Sequence, residues 1–251
     1  MLLAAWGGAA VAGRVSLDNA ACRTSRDGEI HRVVGVPGED REVTLPMALG
    51  RLRALGVREL HLALPAPGDP AGLPGPPAFN TAALEAGEAV LCGPSPAYGL
   101  VPTRTALGSS GTAVRWQAQG IAAAPAPGTP SLAEAERMLQ ETMRQVTAEL
   151  VRLDVARWRP EVADALRSLR DGGHDDTVLA PGAPARAVRV LVTARRLAAI
   201  AALAGADAGA AVSAREITLR GGALAELSRA SRRAMAAACN AVYEPTWTPG
   251  R

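Results

Sequence analysis

The chain contains no lysine: all 27 of its basic side chains are arginine. That absence excludes a Walker-type phosphate loop, a pyridoxal phosphate or aldolase Schiff base, and the strand lysine of a protein kinase, because each chemistry needs the amine. Aromatic residues make up only 3%, with Phe79 the single phenylalanine. The core must therefore be aliphatic and alanine-rich, which suits close helix packing better than a large β-sandwich. The three cysteines, Cys22, Cys92 and Cys239, are odd in number and far apart, and no CxxC occurs. A zinc knuckle and a thioredoxin-like motif are thereby excluded, and reduced thiols are expected. Long apolar runs are missing too. The opening MLLAAWGGAAVAGR has no basic flank and is too short to span a bilayer. It reads as a buried strand or turn, with a signal peptide the lesser alternative. The apolar stretch 188–212 is broken by Arg189, Arg195, Arg196 and Asp207. No membrane association is expected, and the chain reads as cytoplasmic.

What is present organises the 251 residues. Heavy use of Ala, Gly, Pro and Arg points to a GC-rich bacterial genome. Element types alternate up to about residue 125. Ser16 is placed to cap a short helix ending near Thr24, and residues 31–36 (HRVVGV) read as a strand. Thr44 reads as the cap of LPMALGRLRALG, a helix with Pro46 in its first turn and Gly56 as its stop. Residues 57–64 (VRELHLAL) read as a strand, Asn80 as the cap of TAALEAGE, and residues 89–92 as the next strand. Residues 98–105 and 112–121 read as a hairpin around LGSSG. This pattern predicts an α/β domain with a small mixed sheet and flanking helices over 1–125. Residues 126–130 read as a linker, and 131–251 as an all-α bundle of about four helices. Ser131 caps the first of these, whose apolar positions Leu139, Met143, Val146, Leu150 and Leu153 share one face. Residues 161–170 read as the second. Pro184 opens the third, and Ser213 with Glu216 caps the fourth.

Between Leu64 and Asn80 lie six prolines and three glycines. This Pro/Gly-rich loop, residues 65–78, leaves a predicted strand and enters a predicted helix. In open α/β sheets that edge binds ligands, and helix amino termini attract anions. Asp69, Gly72 and Asn80 are its ligand-binding candidates, joined by Arg104 and Arg115 on the hairpin, either of which can clamp a carboxylate or phosphate. No GxGxxG is present, and a stiff extended loop serves equally well as a docking edge. Cys92 ends a strand, but His61 alternates to the opposite face of its own, so a Cys–His pair is not expected. Asp171, His174 and Asp176 in DGGHDD could gather a metal. The spacing fits no known ligand pair, Gly172 and Gly173 explain the stretch as a helix stop, and no metal or cofactor is predicted. Residues 181–251 carry ten arginines against four acids, while 131–180 carry seven against ten. Helix pairs of complementary charge explain this. The alternative is a nucleic-acid face made of Arg186, Arg189, Arg196, Arg229, Arg232 and Arg233, which lacks interleaved aromatics.

Three functions follow, in order. The first is a non-enzymatic interaction or regulatory protein that presents the loop and uses its helical part to self-associate or dock a protein partner. The second is a domain or enzyme that takes a small anionic metabolite near residues 65–80. The third, least favoured, is nucleic-acid binding through the basic C-terminal helices.

Overall fold

The computed structural model describes residues 1–26, 29–70, 72–108, 111–122, 124, 128–152, 178–206 and 214–244. The chain divides into two units. Unit 1 comprises Met1–Thr129, Thr177–Pro184 and Cys239–Arg251; unit 2 comprises Pro130–Asp176 and Ala185–Ala238.

Unit 1 is an α/β unit. It opens on a π-helical turn, Leu3–Gly7, that continues into helix α1, Gly8–Val11. The expected strand or turn at this position is thus corrected to helix. Ala and Leu favour helix on their own, and the glycines that argued for a turn are tolerated because Gly7 and Gly8 are buried against other elements. Helix α2, Leu17–Thr24, is capped as expected: the Ser16 hydroxyl accepts from the Asn19 amide at 3.1 Å. Strand β1 is Glu29–Val34, and the two-residue strand β2 is Val43–Thr44. Helix α3, Leu45–Ala54, has Thr44 at its N-cap position and Pro46 in its first turn, but the Thr44 side chain makes no capping hydrogen bond. Strand β3, Glu59–Ala63, leads through the Pro/Gly loop to helix α4, Pro77–Ala86. Strands β4 (Ala89–Gly93), β5 (Tyr98–Leu107) and β6 (Gly111–Gly120) complete the sheet.

The sheet is mixed and six-stranded, in the order β2-β1-β6-β5-β4-β3. Only β1 and β6 run parallel; every other pair is antiparallel. Register assigns the faces, because partners share a side and neighbours along a strand alternate. One face carries His31, Val33, Leu60, Leu62, Val90, Leu100, Val114 and Trp116, all buried. The other face divides in two. Over β3–β5 it is covered by α4, with Ala63, Phe79, Ala83, Leu91 and Val101 in one apolar cluster. A Cβ on Gly99 would collide with the Phe79 ring, so glycine is what lets α4 lie this close to the sheet. Over β5, β6 and β1 the same face is open: Ile30, Arg32, Thr103, Thr105, Arg115 and Gln117 are exposed.

Unit 2 is helical. Helix α5 is Leu132–Arg152, α6 is Ala185–Ala206 and α7 is Ala214–Asn240, the last two residues of α7 belonging to unit 1. A capping box starts α5: the Ser131 amide donates to Glu134 at 2.9 Å, and the Glu134 amide donates to the Ser131 hydroxyl at 3.3 Å. On its predicted apolar face Leu139 and Val146 are buried, whereas Met143 is 39% exposed. Val146 packs with Ala201 and Ala204 of α6 and with Ala223, Leu224 and Leu227 of α7. The buried Arg220 donates to the Ala204 carbonyl at 2.9 Å, satisfying one of the end carbonyls of α6. The helix expected at 161–170, the DGGHDD stretch and the Ser213 cap lie outside the described residues.

Candidate functional site

The Pro/Gly loop is folded upon itself. Ala66 and Asp69 bond to each other through both backbone groups, at 3.1 and 2.8 Å. Pro67 and Gly68 form the turn between them, and Gly68, at φ +76, has the conformation that the third residue of a type II turn requires. Asp69 is 5% exposed, and Gly72 sits with φ +86 beside Ala63. Asn80 does not cap α4, as its spacing suggested. The helix starts four residues earlier, after Pro76, because Pro77 suits a first helical position where no amide is needed. The Asn80 side chain instead accepts from the Gly75 amide at 2.9 Å, tying the loop to the helix it enters. Asp69, Gly72 and Asn80 are thus built into the loop's own fold.

A groove of about 560 Å³ lies alongside α4, over β5 and β6. Its walls carry Glu85 from α4, Thr103 from β5 and Gln117 and Gln119 from β6, with Ala82, Ala86 and Val101 supplying apolar surface. Arg104 also lines it, but its guanidinium donates to Glu88 at 3.1 Å, and Glu88 is paired as well with the Met1 amine. Arg115 is the register partner of Thr103 and stands on the same open face, so it adjoins the groove without lining it. Of the five sequence-predicted ligand residues, the structure brings Arg104 and Arg115 near this groove and keeps the three loop residues apart from its lining. Gln117, Gln119 and Glu85 carried no motif. Only the alternation along β6 could have singled out the two glutamines, once the uncovered side of the strand was known.

The reactive side chains of unit 1 lie elsewhere. Cys92 is fully buried on the Leu60 face, which pushes its thiol up to about 12, and His61 pairs with Leu91 on the opposite face. They do not meet. His31 accepts at Nδ1 from Trp116 Nε1 at 3.1 Å, and its Nε2 lies 3.2 Å from Glu29. His61 Nε2 lies 2.8 Å from Glu59, with the Tyr243 ring 4.7 Å away. Burial lowers the pKa of both imidazoles, the neighbouring glutamates opposing it only in part. Among the described residues no group of three His, Cys, Asp or Glu is placed to hold a metal ion, and no helix is long and apolar enough to cross a membrane.

In unit 2, Arg186 reaches back to α5, its Nε donating to Glu136 at 2.6 Å. Arg189 lines a smaller cleft between α5 and α6, of about 260 Å³, with Glu136, Leu139, Met143 and Leu197. Arg229 is exposed, and Arg196, Arg232 and Arg233 are half-buried.

Two family models meet within the chain. One, for the N-terminal domain of Rv1486c-like proteins, matches residues 1–132; the other, for their C-terminal domain, matches residues 133–236. The chain is 33% identical over 180 residues to "Uncharacterized protein Rv1486c" of Mycobacterium tuberculosis (strain ATCC 25618 / H37Rv). It is equally similar to "Uncharacterized protein MT1533" of strain CDC 1551 / Oshkosh. The match covers 64% of this chain and 60% of each relative, so the chain spans about three fifths of the length of the curated relatives it matches. No solved structure matches. With one family model spanning more than half of its length, the chain belongs to the Rv1486c-like protein family.

Proposed function

We propose that the chain is a binding module for a small polar metabolite, held in the groove between α4 and the β5–β6 hairpin. One observation carries this reading: polar side chains from three elements, Glu85, Thr103, Gln117 and Gln119, converge on one concavity with an apolar lining. Ligand sites have that composition, and about 300–1,000 Å³ is their usual size. Cys92, His31 and His61 are buried outside the groove lining, and exposed Cys22 lies outside it too. Glu85 is the one acidic side chain that lines it, without a histidine or thiol beside it there, which favours binding over catalysis.

The expected outcome is a thermal shift on adding one member of a panel of sugar phosphates, nucleotides, carboxylates and amino acids to the full chain. A ligand at about a hundred times its dissociation constant adds roughly 2.7 kcal/mol, enough to raise the melting point by a few degrees. Gln117→Ala should abolish that shift. A panel without any response would remove the reading.

The interaction reading keeps one supporting feature, the cleft between α5 and α6 with Met143 at its mouth. Methionine adapts to varied partners, so a protein helix is what this cleft would take. Nucleic-acid binding has less support, since Arg186 is engaged by an acidic side chain of its own unit.

A further inference from the structure

Beside the groove, two arginines face each other. Arg32 on β1 and Arg115 on β6 are register partners, so both side chains leave the same open face of the sheet. Like charges held side by side on neighbouring strands repel, so the pair costs stability unless a negative group meets it. One carboxylate bridges them. Glu42 lies 3.7 Å from Arg32 Nε and 3.5 Å from Arg115 Nε, one oxygen to each. Both contacts are long for charge-assisted hydrogen bonds, and the side chains are 44%, 61% and 43% exposed. Glu42 belongs to the short connection leading into β2, outside the strands themselves. The Arg32 guanidinium also donates to the His31 carbonyl at 3.2 Å, and the two guanidiniums on adjacent strands share a single, loosely held negative charge.

We infer that the Arg32–Arg115 pair is a binding site for a phosphate group, and that Glu42 occupies it in the ligand-free protein. A guanidinium presents a planar fork that matches phosphate oxygens. Two such forks carry two positive charges, which a phosphate dianion neutralises fully and Glu42 only by half. The position fits the groove. Thr103, the register partner of Arg115, lines it, and Gln117 stands two residues along β6 on the same face. A phosphate held by the arginines therefore places the rest of its molecule along Thr103 and Gln117 towards α4. The inference rests on the binding-module reading for that second half, and it names the ligand as a phosphorylated small molecule.

The test is titration of the full chain with inorganic phosphate at mildly alkaline pH, with sodium chloride holding the ionic strength constant, followed by calorimetry. Saturable binding is expected. Glu42→Gln should tighten it about two- to fivefold, the range that an exposed ion pair is worth. Arg115→Gln and Arg32→Gln should each weaken it about tenfold or more, because each removes charge-assisted bonds. Arg137→Gln, an exposed arginine on α5, controls for the general loss of positive charge. No saturation, equal weakening by Arg137→Gln, or weaker binding in Glu42→Gln would overturn the inference. A single-stranded oligonucleotide that binds where free phosphate does not would overturn it as well, in favour of a nucleic-acid surface. The two proposals fail separately. Phosphate binding with no response to any metabolite leaves the arginine site standing and removes the groove. A response to an uncharged metabolite without phosphate binding does the reverse.

Discussion

Two histidines in this chain are structural, and their burial makes stability depend on pH. His31 and His61 are 8% and 5% exposed, and desolvation lowers both below the ordinary 6.5. In the unfolded chain they take up protons near that value, while in the folded chain they resist until lower pH. The unfolded state therefore binds more protons in the window below 6.5, and stability falls as pH drops through it. Unfolding free energies from urea titrations should stay level from about pH 7.5 to near 6.5 and then fall towards pH 5, by up to about 1.4 kcal/mol per pH unit for each histidine. His31→Gln keeps an oxygen acceptor for the Trp116 indole and should flatten the slope; an unchanged slope would show that other groups set it. Residue roles of this kind were only partly readable in advance. Alternation along β3 already placed His61 away from Cys92. That Trp116 is the hydrogen-bond partner of His31 depends on β1 lying beside β6, a pairing between segments some 85 positions apart. No local pattern encodes it.

Local chemistry was enough to locate most elements, and it failed where long-range packing decides. The Ser16 and Ser131 caps, the β5–β6 hairpin and the α3 helix follow from propensity and turn residues that act within a few positions. The N-terminal helix, the start of α4 at Pro77 and the two-residue β2 depend on what covers them. So does the fate of the sheet edge. Strand β3 is an edge strand, and such an edge offers unpaired backbone groups to any passing strand. Here the end of α7 seals it with side chains. Asn240 accepts from the Leu62 amide at 2.7 Å and donates to the Leu62 carbonyl at 3.1 Å. Tyr243, in the 3-10 turn Ala241–Tyr243, accepts from the Leu60 amide at 3.0 Å. Asn240→Ala leaves two buried backbone groups without these partners and should cost about 2–4 kcal/mol; Tyr243→Phe should cost about 1–3 kcal/mol. Amide exchange at Leu60 and Leu62 should accelerate more than at Leu91 on the neighbouring strand. Uniform acceleration would mean that the contacts stabilise the whole unit and do not act as an edge seal.

At the scale of the whole molecule, family boundaries and structural units divide the chain differently. The family models change over between residues 132 and 133, close to the proline-rich 126–130 stretch. By contacts, unit 1 also includes Thr177–Pro184 and Cys239–Arg251. Sequence composition marks the first boundary because linkers have a recognisable make-up. It cannot show the return, since Asn240 and Tyr243 look like any polar residues near a helix end until β3 is placed beside them. The difference can be tested. A fragment of residues 1–132 contains the six strands of the described sheet but lacks the groups that pair with Leu60 and Leu62. Its β3 edge is open, and Tyr243, whose phenol burial pushes up to about 12, no longer accepts from the Leu60 amide. That fragment should lose cooperative unfolding or associate through β3, seen as a concentration-dependent rise in mass by light scattering. Adding a peptide of residues 236–251 should reverse the association if the edge is its cause. A fragment that remains monomeric and melts like the full chain would make the family boundary the true folding boundary, and the seal at β3 an addition the sheet does not need.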